Sequence, residues 1–100
     1  MNVVENKIYT VIWTDKAKKM LKDFDEKTIN FIINKVEKYL VLDPWGKGKR
    51  LDGELKDFWS FRCWPYRVVY KIYENQITIE IFGVIDRKDN YRRITRLLKT

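Results

Sequence analysis

From Phe58 to Phe82 the chain is built of β-branched and aromatic residues broken at two places, and this stretch limits the fold more than any other. A first run, Phe58-Trp59-Ser60-Phe61-Arg62-Cys63, ends at Trp64-Pro65. A second, Tyr66-Arg67-Val68-Val69-Tyr70-Lys71-Ile72-Tyr73, ends at Glu74-Asn75, and Ile77, Ile79 and Ile81 then alternate with Thr78, Glu80 and Phe82. Runs of this composition between turn residues are strands, and turns this short make successive strands antiparallel hairpins. A hairpin through Trp64-Pro65 holds Arg62 and Arg67 near each other on one sheet face. Paired guanidiniums on a rigid surface suit a phosphate, although they can equally do no more than solvate an exposed face.

The rest of the chain is read around this sheet. Ile8-Tyr9-Thr10-Val11-Ile12-Trp13 has the composition of a first strand, with Thr14 placed to cap a helix. Ala17, Met20, Leu21 and Phe24 fall at helical spacing, which predicts a short amphipathic helix. Asp25 can cap a longer one, with Ile29, Ile32, Ile33, Val36 and Leu40 on one stripe and an end near Leu42, ahead of Pro44. A link this tight makes the two helices a hairpin against one sheet face. Asp43-Pro44-Trp45-Gly46-Lys47-Gly48-Lys49-Arg50 reads as a basic loop without regular structure, and its glycine and lysine spacing is not that of a phosphate-binding P-loop. Ile94, Leu97 and Leu98 predict a short C-terminal helix between Arg92 and Thr100. The expected fold class is α+β, in the order β-α-α-β-β-β-α, with an N-terminal helical hairpin on a mainly antiparallel four-stranded sheet. Residues 1–100 are expected to form a single domain, with residues 1–7 as a candidate flexible tail.

Composition narrows the partners. Residues 1–43 carry 8 Lys and Arg against 7 Asp and Glu, a net +1, whereas residues 44–100 carry 13 against 7, a net +6. The basic excess therefore lies in the half that holds the sheet, which favours a polyanion: nucleic acid, or an acidic protein masking the same surface. No segment combines a basic face with a large apolar moment, none approaches a membrane span, and residues 1–7 lack a signal peptide's apolar core, so a cytoplasmic protein without a membrane partner is expected. The lone cysteine, Cys63, sits in an apolar strand rather than in metal-ligand spacing and reads as packing. Asp52, Glu54 and Asp57 lie close in sequence, but without histidine they make a poor metal site and read as solvated loop charge; no metal or cofactor is expected. Trp59, Trp64, Tyr66 and Tyr70 could stack on bases, yet alternation along the strands sends at least half of them to the core.

Four features together resemble the RelE/ParE toxin superfamily of bacterial and archaeal toxin-antitoxin modules, over roughly residues 8–95. They are the strand-helix-helix opening; Pro44 followed by Leu51-x-Gly53-x-Leu55; the run Phe61-Arg62-x-x-x-Tyr66-Arg67-Val68-Val69-Tyr70; and Arg87 before Tyr91. The resemblance implies a small toxin held inactive by an acidic, RelB-like antitoxin, with operator DNA as a further partner of the complex. RelE-like members are implied to cut messenger RNA on the ribosome, and ParE-like members to poison DNA gyrase; a shared fold does not separate the two.

RNA cleavage through the 2′-hydroxyl needs in-line attack, positive charge around the developing phosphorane and a proton for the leaving 5′-oxygen. This chain has no histidine, so arginine, lysine and tyrosine would have to serve. By resemblance, Arg67 is the arginine on the scissile phosphate, Arg87 assists the leaving group or stabilises charge, and Tyr91 stacks on or orients a nucleotide. Lys47, Lys49, Arg50, Lys56 and Arg62 are the candidate contacts to RNA backbone. Two departures from the family pattern stand out. Phe58 and Ser60 occupy positions where RelE-like members carry lysines, and Asp86 stands where many carry histidine. The expected function is a ribosome-dependent messenger RNA endonuclease that inhibits translation; the alternatives are a ParE-like gyrase inhibitor without nuclease activity and a degenerate toxin that only binds its antitoxin.

Overall fold

The computed structural model describes residues 7–88 and 91–98; residues 1–6 of the expected tail, Asp89, Asn90, residues 99 and 100 and the side chains of Arg93 and Leu97 lie outside the described residues. Strand β1 (Thr10–Trp13) leads into α1 (Asp15–Leu21) and α2 (Glu26–Lys38). Both caps form as the residue types predict: Thr14 accepts from the Ala17 N–H at 3.1 Å and Asp25 from the Thr28 N–H at 2.8 Å. Helix α2 stops at Lys38, short of the expected Leu42, and Leu40–Leu42 tighten into a 3-10 turn that buries Leu40 and Val41.

The segment expected to be an irregular loop is ordered. Asp43 accepts from the Gly46 N–H at 2.9 Å and Pro44 takes the first helical position of a single turn, α3 (Pro44–Lys47). Gly48–Arg50 then form β2, an edge strand paired antiparallel to β3 (Trp59–Cys63). This corrects the expected four strands to five. Strand β4 (Tyr66–Tyr73) follows the two-residue turn at Trp64-Pro65, whose peptide bond is cis, and β5 (Thr78–Asp86) follows a 3-10 turn at Glu74–Gln76. The sheet order is β1-β5-β4-β3-β2, antiparallel except that β1 runs parallel to β5. Helix α4 (Tyr91–Leu98) closes the described chain.

Alternation divides the strands between two faces. One face presents Phe61, Cys63, Val68, Tyr70, Ile79 and Ile81, all buried with Ala17, Leu21, Ile32, Val36 and Leu40 of the helical hairpin. The opposite face carries a smaller cluster of Val69, Ile85 and Ile94 with Leu55 and Met20. A β-bulge between Val69 and Tyr70 shifts the β4–β5 register, pairing Val69 with Gly83 and Tyr70 with Ile81. Gly83 is a close approach: a Cβ there would run into Ile94 Cδ1 and lie 3.1 Å from Met20 Sδ.

Candidate functional site

The second face is only partly roofed by α4, and the uncovered part is a cleft of about 580 Å³ lined by residues 47–52, Leu55, Ser60, Arg62, Arg67 and Tyr91. Its floor comes from the β3–β4 hairpin, where the two-residue turn pairs Arg62 directly with Arg67 and Ser60 with Val69. Its wall is α3 and β2, and Tyr91 at the start of α4 stands over it. Five cationic side chains, Lys47, Lys49, Arg50, Arg62 and Arg67, face the cleft with one carboxylate, Asp52. Like charges placed directly opposite on neighbouring strands destabilise a sheet, and an anion bound between Arg62 and Arg67 relieves that repulsion.

The wall is fixed from the core side. The buried Tyr70 hydroxyl donates to the Pro44 carbonyl at 2.7 Å, and burial pushes its pKa well above the ordinary tyrosine range, so it remains a donor at neutral pH. Gly48 is required at this contact, because a Cβ would overlap the Tyr70 hydroxyl and lie 3.2 Å from the Ser60 carbonyl. On the far side Trp45 Nε1 donates to Glu74 Oε2 at 2.9 Å and to the Tyr9 hydroxyl at 3.2 Å, while the Tyr9 hydroxyl donates to Glu74 Oε2 at 2.6 Å. These donors hold the Glu74 carboxyl below the usual carboxylate range. The Trp45 and Trp59 rings meet edge to face at 5.4 Å. Tyr9 just before β1, residues of β3 and β4, and Glu74 of the β4–β5 turn therefore all grip α3, and Lys47 to Arg50 are carried on a braced segment rather than a loose loop.

Within the cleft the Tyr91 hydroxyl donates to Ser60 Oγ at 2.9 Å, which fixes the ring beside the two arginines. Arg50 Nε donates to the Lys56 carbonyl at 3.0 Å, tying β2 to the turn that follows Gly53–Leu55. Of the sequence-predicted residues, the cleft gathers Lys47, Lys49, Arg50, Arg62, Arg67 and Tyr91. It does not gather Lys56, whose carbonyl is its contact with Arg50, or Arg87, which lies at the hairpin tip with its guanidinium 5.3 Å from the Trp64 ring centre. Asp86 accepts from the Lys88 N–H at 3.1 Å and forms no ion pair with Arg87 among the described residues.

Sequence reasoning misses the cleft role of two residues. Ser60 shares the face of Arg62 by strict alternation, which is a signal present in the sequence. Asp52 reads as solvated loop charge, and only the turn of the chain after β2 brings it to the cleft. Burial raises the Cys63 thiol to about 11, consistent with packing rather than reactivity. Among the described residues no group of three His, Cys, Asp or Glu side chains could hold a metal, and no helix is long and apolar enough to cross a membrane.

Comparison with known proteins agrees with this geometry. The family model of the ParE toxin of type II toxin-antitoxin system, parDE, matches residues 11–91. The chain is 32% identical over 85 residues to Toxin RelG of Mycobacterium tuberculosis, covering 85% of this chain and 98% of that protein. Its fold is similar to a chain of the toxin-antitoxin complex RelBE2 from M. tuberculosis, with a TM-score of 0.80 and 28% identity over 85% of this chain and 98% of the other. It is also similar to an E. coli RelE variant in the free state, with a TM-score of 0.70 and 15% identity over 92% and 97% of the two chains.

Proposed function

The chain belongs to the RelE/ParE superfamily of type II toxin-antitoxin toxins, and from that premise we propose that it is a ribosome-dependent messenger RNA endonuclease of the RelE type, acting without metal in the cytoplasm. One observation carries this reading: a single concave site joins the opposed pair Arg62 and Arg67 to an aromatic ring, Tyr91, pinned by Ser60. Cations alone would suit any polyanion, but a ring fixed in the same cleft as two cross-strand arginines suits a splayed nucleotide of single-stranded RNA.

In this mechanism the 2′-oxygen attacks the adjacent phosphorus as it gives up its proton, and the bond to the 5′-oxygen breaks; the 5′-oxygen takes a proton from solvent in the open cleft, leaving a 2′,3′-cyclic phosphate and a 5′-hydroxyl. Arg67, aided by Arg62, stabilises the charge that grows on the phosphoryl oxygens. Tyr91 stacks on the nucleotide and sets it in line for attack. Asp52, the carboxylate among the cleft residues, is the candidate acceptor of the 2′-hydroxyl proton, since lysine and arginine are protonated at neutral pH. Lys47, Lys49 and Arg50 hold flanking backbone, Lys56 reinforces that wall, and Arg87 adds positive charge at the hairpin tip. An acidic antitoxin is the expected partner, because solved relatives are toxin-antitoxin complexes and the cleft is a cationic surface to be masked; operator DNA is a further partner of that complex.

A second reading, inhibition of DNA gyrase without cleavage, is favoured by the ParE family match and by Phe58 and Ser60 standing where RelE-like members carry lysines. Mapping of messenger 5′ ends after induction, beside a supercoiling assay, decides between them. Codon-phased cuts that vanish with Arg67→Ala support the endonuclease. Intact messages with inhibited supercoiling assign the chain to the gyrase branch.

A further inference from the structure

Past the cleft, β3 and β4 meet in the Trp64-Pro65 turn, where Trp64 is 52% exposed. Two guanidiniums lie against it: that of Arg62 at 4.9 Å and that of Arg87 at 5.3 Å from the ring centre. The backbone of Arg87 is tied to the same turn, its N–H donating to the Pro65 carbonyl at 2.8 Å. Neither guanidinium makes an ion pair among the described residues, and the nearest carboxylate in sequence, Asp86, is turned to the Lys88 N–H. The indole thus holds two long side chains that would otherwise sample many rotamers, and it leaves their charge uncompensated.

We infer that Arg62, Trp64 and Arg87 form a second phosphate site, which takes a backbone phosphate of single-stranded RNA next to the nucleotide held in the cleft. The inference rests on the RNA reading of the cleft. Arg62 belongs to both places, lining the cleft and touching the indole, so the two sites are continuous along β3. Trp64 is a positioning residue: its ring fixes the spacing of the guanidiniums, and a phosphate between them offsets their mutual repulsion. The arrangement sets a minimum length for the occupant. A dinucleotide fills the cleft alone, whereas a longer strand also reaches the hairpin tip.

The test is equilibrium binding of the full chain to a fluorescent dinucleotide and a hexanucleotide, both 2′-O-methylated so that they are bound and not cut, across a salt series. Arg87→Gln is expected to weaken the hexanucleotide about fivefold at low salt and to lower its salt slope by about 0.7, the loss of one phosphate contact on a single strand, with the dinucleotide unaffected. Trp64→Leu is expected to weaken the hexanucleotide further, and Trp64→Phe, which keeps a ring face, to recover most of the loss. If Arg67→Gln weakens both oligonucleotides while the Trp64 and Arg87 variants bind as the parent does, the second site is overturned and the cleft reading stands. If the parent binds neither, or Arg67→Gln changes nothing, both fall. Loss of binding to octaglutamate in Arg87→Gln, with RNA binding intact, would overturn the inference in favour of an acidic protein at the tip.

Discussion

The same three strands, β3, β4 and β5, show two unlike faces. Under the helical hairpin, Phe61, Val68, Tyr70, Ile79 and Ile81 are buried and matched by Ala17, Ile32, Val36 and Leu40. Across the sheet, one residue out of step with these, stand Ser60, Arg62 and Arg67, with α4 covering only the part around Val69 and Ile85. The closed face supplies most of the apolar burial that stabilises the fold. The open face carries a cation pair that works against stability, tolerable because the residues behind it are fixed from the other side. Stability and site are therefore separable by substitution, although they alternate along the same strands.

That separation can be tested at four points. Ile81→Ala, which empties a fully buried position, is expected to cost about 3 kcal/mol in denaturant unfolding; a cost below about 1 kcal/mol would mean the closed face is not the stabilising one. Gly48→Ala joins the two faces, since its new methyl would displace the buried Tyr70 hydroxyl. A loss of about 1–3 kcal/mol is expected, together with weaker anion binding as β2 shifts; a change in one property without the other would show the wall to be independent of the core. Acid should loosen the brace on α3. The folded-state pKa of Glu74 is depressed, so its contribution is present above its ordinary value of 4.5 and is lost as pH falls through the folded value. A tryptophan fluorescence change below about pH 4.5 that Glu74→Gln abolishes would establish this. The smallest effect on folding is expected from Arg67→Gln, within about 0.5 kcal/mol of the parent or slightly stabilising, because it removes a cross-strand like-charge pair. The same substitution should abolish RNA cleavage, and a large destabilisation would give Arg67 a structural role instead.

Local chemistry made much of this legible. The caps at Thr14 and Asp25 and the two-residue turn at Trp64-Pro65 are short-range devices, so the helical hairpin and the Arg62–Arg67 pairing could be read from neighbouring residues. Strand β2 could not. Gly48-Lys49-Arg50 has no strand propensity of its own and pairs because Tyr70 and Trp45 hold α3 against the edge of β3. The Ser60–Tyr91 hydrogen bond spans 31 residues, and no local pattern announces it. The place of Arg87 was equally hidden, because its partner Trp64 belongs to a different turn and is brought to it by the β4–β5 pairing.

The parallel pairing of β1 with β5, Thr10 against Thr78 through Trp13 against Ile81, has a consequence for how the chain folds as it is synthesised. During synthesis β1 emerges before β5 and has no strand to join until β5 follows it, so its docking is a long-range closure. Tyr91 lies further along still. A nascent chain that has not yet released β5 and Tyr91 from the exit tunnel carries neither the complete sheet nor the complete cleft.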